Sequence, residues 1–99
     1  MIDLRKLARG QECMIRVPGY CNGDPATTVL AHYRMLPFNG TGIKPPDWLG
    51  AWACSACHSL IDGRARIAGG YDTHALRAMH AEGVLRTIHE LVKRGHLKW

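Results

Sequence analysis

Polar and apolar positions alternate most regularly between Thr27 and Met35. Thr28, Leu30, His32 and Arg34 form one set, and Val29, Ala31, Tyr33 and Met35 the other. A period of two predicts a strand, with His32 on its mixed polar face, opposite Val29 and Tyr33. From Thr73 to Arg94 the period changes. Leu76, Met79, Val84, Ile88, Leu91 and Val92 recur at helical spacing, with Gly95 placed to stop the helix and Gly83 weakening its interior. A short helix is predicted over Asp3 to Ala8, capped by Asp3 and ended by Gly10. Cys13 to Pro18 reads as a short extended segment, and Gly19 to Pro25 as turn-rich. Pro37 to Asp47 is a Gly/Pro-rich loop able to arch over a site. Trp48 to Ala53 is a short apolar run, predicted as a buried second strand leading into Cys54. Cys54-Ser-Ala-Cys57-His58 is expected to form a tight knuckle running into a short helix through Asp62. Gly63 to Tyr71 is a second irregular segment. With no internal repeat or linker, residues 1–99 are expected to form a single α+β domain, its core about 11–65 and its C-terminal amphipathic helix about 73–94.

Length turns attention to the cysteines. A 99-residue chain buries a modest fraction of its surface, so a staple helps, and four cysteines are available. Charged residues interrupt every apolar stretch at the N-terminus, so a signal peptide is not expected. No run approaches the roughly eighteen apolar residues of a membrane span, so no membrane partner is expected. The expectation is a cytoplasmic protein with reduced thiols that bind metal, disulfides being the alternative. Thirteen Lys and Arg against eight Asp and Glu give a formal charge of +5 and a pI of about 9.3. That favours an anionic partner, with DNA or RNA first.

Cys54 and Cys57 have the CxxC spacing that lets two thiolates reach one tetrahedral metal. Cys13 and Cys21, a wider pair, would supply the other two ligands if the chain doubles back at Pro18-Gly19. A structural Zn²⁺ held by all four is the expectation. Cys54-Ser-Ala-Cys57-His58 also matches the haem-attachment pattern CxxCH, a reading that leaves Cys13 and Cys21 unexplained.

His74, His80, His89 and His96 fall in or beside the C-terminal helix and are expected to be solvated or half-buried surface residues. His58 and Asp62 differ, because positions i and i+4 share one helical face. An imidazole and a carboxylate there can approach one hard or borderline divalent cation, such as Mg²⁺ or Mn²⁺.

Cys13 and Cys21, then Leu30-Ala31-His32, then Cys54-Ser-Ala-Cys57-His58, together resemble the HNH (ββα-metal) nuclease type. The chain is also similar to the small YbcO-like predicted nucleases of lambdoid phages and prophages. Shared stretches include Pro18-Gly-Tyr-Cys-Asn-Gly, Lys44-Pro-Pro-Asp47 and Ala53-Cys-Ser-Ala-Cys-His58. The resemblance implies a zinc-stapled ββα-metal fold and an endonuclease that hydrolyses phosphodiester bonds. By position, His32 matches the general base, His58 a ligand of the catalytic metal and Asp62 a second helical ligand. Asp47 is the nearest candidate for the middle position, which normally is Asn. Ala31 stands where many members carry a further ligand.

Lys44, Arg64 and Arg66 would flank such a site as phosphate contacts. The apolar face of the C-terminal helix offers a homodimer interface. Two other functions fit the same residues: a non-catalytic zinc module that binds nucleic acid, and a zinc-stapled protein-interaction adaptor.

Overall fold

In the computed structural model, residues 3–40, 42–62 and 71–98 are described. They form three helices and one hairpin: α1 (Leu4–Ala8), β1 (Val29–His32), β2 (Gly50–Ala53), α2 (Ser55–Ile61) and α3 (Thr73–Lys93). Short 3-10 turns at Pro25–Thr27 and Asp47–Leu49 lead into the two strands. The architecture is α+β, as expected.

The strands pair antiparallel, with Val29 opposite Ala53, Leu30 opposite Trp52, Ala31 opposite Ala51 and His32 opposite Gly50. The predicted first strand, Thr27 to Met35, is thus shortened at both ends. Asp24 caps the turn at Pro25–Thr27 and takes those residues out of extended geometry. At the far end β2 starts only at Gly50, after Pro45 and Pro46, so Arg34 and Met35 have no ladder partner. The predicted second strand loses its first two residues to the Asp47–Leu49 turn for the same reason.

A two-stranded hairpin is marginal alone, so its faces must be covered. The pleat sorts them. Ala31, Ala51 and Ala53 join a core with Ile15, Val17, Cys54, Cys57, Leu60, Leu76 and Val84. Leu30 and Trp52 face the other way, against Ala8, Leu91, Leu4 and Leu7. The helix α3 crosses β2 and ties to it directly: Trp52 N donates to Thr87 Oγ1 at 3.1 Å, and that hydroxyl donates to Gly83 O at 2.8 Å.

The helix ends follow the sequence signals. Asp3 accepts from the backbone N–H groups of Arg5 and Lys6, and Asp72 from that of Ala75. At the other end of α3, Gly95 takes φ 80°, and His96 N donates to Leu91 O at 2.8 Å, a Schellman closure. No helix among the described residues is long and apolar enough to cross a membrane.

The segment Cys13 to Pro18 departs from expectation. It forms no strand; the chain turns back at Arg16, which adopts φ 56°. The physical reason is local bonding, since Arg16 donates its N–H to Cys13 Sγ at 3.5 Å and its Nε to Cys13 O at 3.1 Å. Ile15 and Val17 still point inward and are buried. Gly83 has a positive role that helical propensity does not register. A Cβ there would lie 2.8 Å from Ile15 Cγ1 and 3.2 Å from Met14 O. The helix needs a bare backbone where this turn crosses it.

Candidate functional site

Four sulfurs come together from two distant stretches of chain. The Sγ atoms of Cys13, Cys21, Cys54 and Cys57 all lie within 4.8 Å of one another. Cys54 and Cys21 are 3.8 Å apart at sulfur, the separation expected when two thiolates share a tetrahedral ion at about 2.3 Å. All four cysteines are free rather than bridged. The two halves are built alike. Cys13 accepts the N–H of Arg16, and Cys54 caps α2 by accepting the N–H of Cys57 at 3.4 Å. In each, a sulfur receives a backbone N–H from three residues on, which steadies negative charge on it.

A hydrogen bond donated by Cys57 is the main cause holding the Cys13 thiol down at about 4, against the opposing effect of burial. That same bond, then burial, pushes the Cys57 thiol up. Burial is the main cause raising Cys21. Burial and the Cys13 charge oppose ionisation of Cys21 and Cys57, and a divalent cation would offset that repulsion. The donor set and spacing fit a structural metal ion.

A second polar group sits on the opposite face of β1. His32 Nε2 lies 2.8 Å from Asp47 Oδ1, closing the base of the segment that links the strands. Arg5 of α1 reaches the same carboxylate oxygen at 3.5 Å. The His32 bond, with help from the Arg5 charge, keeps Asp47 below the ordinary carboxylate range. An ionised carboxylate only accepts, so Nε2 carries the hydrogen, and in the neutral ring the lone pair rests on Nδ1.

The third group lies along α2. His58 Nε2 and Asp62 Oδ2 are 3.1 Å apart, the i, i+4 pair anticipated from spacing. Asp62 also lines a cavity of about 290 Å³ with Thr73, Leu76, Arg77 and His80. His80, expected to be solvated or half-buried, is buried: its ring Nε2–H donates to Ala31 O at 2.9 Å, and it packs edge-on against Tyr33 at 5.0 Å between centroids. One turn of α3 separates Leu76 from His80, so the ring faces the hairpin with the apolar stripe. Burial is the main cause lowering its pKa. Leu76-x-x-x-His80 at helical spacing was the signal available for it in the sequence.

The two motif histidines are therefore held by different carboxylates, His32 by Asp47 and His58 by Asp62. Among the described residues, the four cysteines alone form a group of three or more potential ligands within 4.8 Å. Asp47 makes its bonds with His32 and Arg5. Lys44 is exposed. Arg64 and Arg66 lie outside the described residues.

Known proteins resemble this chain along its length. A solved structure described as "Structure of a putative bacteriophage protein from Escherichia coli str. K-12 substr. MG1655" is similar at a TM-score of 0.78 and 43% identity. The similarity covers 94% of this chain and 100% of that one. The chain is also 48% identical over 98 residues to "Putative nuclease YbcO" of Escherichia coli (strain K12), covering 99% of each. It has the same identity and coverage with "Putative nuclease ybcO" of Enterobacteria phage 82. A family model described as "Putative nuclease YbcO" matches residues 2–96, and with that match the chain belongs to the YbcO family.

Proposed function

We propose that this chain is a metal-dependent endonuclease of the HNH type, hydrolysing phosphodiester bonds in nucleic acid, with DNA the first candidate. The observation that carries the reading is the His32–Asp47 bond. It fixes the ring and its tautomer, leaving Nδ1 as a proton acceptor at the edge of the hairpin. In the step proposed, Nδ1 takes a proton from water, and the resulting hydroxide oxygen bonds to the phosphorus. The bond from phosphorus to the leaving oxygen breaks, and that oxygen departs with a proton drawn from solvent. Asp47 stabilises the imidazolium formed and acts as a positioning residue, a role that its engagement with His32 and Arg5 favours over that of a metal ligand.

His58 and Asp62 offer a mixed nitrogen and oxygen pair suited to Mg²⁺ or Mn²⁺. When bound there, such a cation supplies charge neutralisation at the phosphate and at the departing oxygen. The four thiolates would hold Zn²⁺ as a structural ion, and Lys44, with Arg64 and Arg66, would neutralise neighbouring phosphates. The names of the relatives and the basic charge support the same class of substrate.

The test is nicking of supercoiled plasmid by zinc-loaded protein with and without added Mg²⁺ or Mn²⁺. Cutting should require the added ion and vanish in His32→Ala while DNA binding persists. Equal residual cutting by both proteins would reduce the chain to the non-catalytic nucleic-acid module. Absence of any salt-dependent DNA binding would favour the adaptor reading.

A further inference from the structure

We infer that the segment joining β1 to β2 is a platform for unpaired nucleotide bases, so that the substrate carries single-stranded character beside the bond that is cut. This rests on the nuclease reading and names its substrate more closely. Exposed large apolar side chains are unevenly spread among the described residues. Met35, Leu36, Phe38, Ile43 and Trp48 all belong to this segment, whereas Val29 and Leu85 lie elsewhere. Leu36 is 74% exposed, Ile43 50% and Trp48 48%.

The segment is built rather than loose. The segment is closed at its base by His32 Nε2 to Asp47 Oδ1 and by Tyr33 N donating to Leu49 O at 2.8 Å. Within it, Gly40 and Ile43 form an isolated bridge. Leu36 Cδ2 and Ile43 Cδ1 converge over Gly40, at 3.5 and 3.7 Å from where its Cβ would stand. Water thus meets apolar side chains held in place, which is costly unless something covers them.

Charge decides the occupant. Between Tyr33 and Pro46 there are two cations, Arg34 and Lys44, and no Asp or Glu. Asp47, the first acid encountered, is already engaged by His32 and Arg5. Flat apolar rings joined by anionic linkages match apolar and aromatic side chains set among cations. In a continuous duplex the base faces are stacked on one another and are not available; unpaired bases present them. Because Trp48 follows Asp47 directly, a base resting there would lie next to the linkage offered to His32.

The test uses zinc-loaded full-length protein without added Mg²⁺ or Mn²⁺, so that nothing is cut. Anisotropy would compare labelled single-stranded, forked and fully paired oligonucleotides of one sequence at one salt concentration. The single-stranded and forked forms should bind about ten-fold more tightly than the duplex. Phe38→Ala and Trp48→Ala should each remove roughly five-fold or more of that excess and leave duplex binding unchanged. Phe38→Tyr should retain it and Phe38→Leu should not, which separates ring stacking from a loss of fold. Equal affinity for all three forms, or indifference to both Phe38 variants, overturns the inference and leaves the nuclease reading standing. A change of oligomeric state on substituting Phe38 or Trp48, with oligonucleotide binding intact, also overturns it by making the surface a contact between copies. Binding to no oligonucleotide at all removes the nuclease reading itself.

Discussion

The ring nitrogen Nε2 of His80 lies 2.9 Å from the carbonyl oxygen of Ala31, the residue immediately before His32. A side chain of the C-terminal helix thereby holds the strand from which the proposed base projects. His80→Leu should take from the buried Ala31 carbonyl the bond it accepts in addition to its ladder bond with Ala51, and cost about 1–2 kcal/mol. His80→Gln, which can keep a donor near the same point, should recover part of this. Urea denaturation of the three proteins measures the difference.

The same histidine makes stability depend on pH. Burial lowers its pKa from the ordinary 6.5, so the unfolded chain takes up its proton first as pH falls. Its contribution should be intact above pH 6.5 and decline as pH drops from there toward the lowered folded value. Melting temperatures across that range should fall faster for wild type than for His80→Gln. Parallel curves would show that the ring does not stay neutral in the folded protein.

Asp47 should affect catalysis more than folding. Its carboxylate is partly exposed, so the Arg5 contact is screened and adds little stability. Asp47→Asn replaces an acceptor-only carboxylate with a neutral amide that can turn an N–H toward the ring, so the His32 tautomer is no longer fixed, and kcat should fall roughly 10- to 100-fold with KM little changed. Single-turnover cleavage across a pH series would separate this from loss of structure, since a merely structural role would leave the profile's shape unaltered.

Removal of the ion proposed for the four cysteines should unfold much of the chain. Cys54 is fully buried, caps α2 and adjoins β2. Cys54→Ser should cost about 3 kcal/mol or more and reduce the metal content below one ion per chain. Elemental analysis together with melting in the presence of a strong chelator checks both parts. A protein that keeps its melting temperature without metal would argue against a structural ion.

Gly83→Ala offers a test of packing against propensity. In an isolated helix the change would gain about 1 kcal/mol. Here the added carbon would stand 2.8 Å from Ile15 Cγ1 and 3.2 Å from both Ile15 Cα and Met14 O. Two of those three neighbours are backbone atoms of the Cys13 turn and cannot rotate away. We expect a net loss of about 1–3 kcal/mol, read by denaturation.

Much of this protein was legible along the chain, because the signals are local. Asp3, Asp72 and Gly95 cap their helices by bonds spanning only a few residues, and His58 meets Asp62 through one turn of helix. Strand alternation likewise assigned His32 to the face opposite Ala31, and the CxxC pair announced half of the four-sulfur cluster.

What lies across large separations in sequence was decided by tertiary packing. Cys13 meets Cys57, His32 meets Asp47, and His80 meets Ala31 because the hairpin, the Arg16 turn and α3 must share one buried volume. No local rule fixes that the His80 ring must meet the Ala31 carbonyl, or that Gly83 must be bare where Ile15 crosses it. Those choices follow from the need to cover both faces of a four-residue hairpin at close-packed density, and only the assembled chain can satisfy that need.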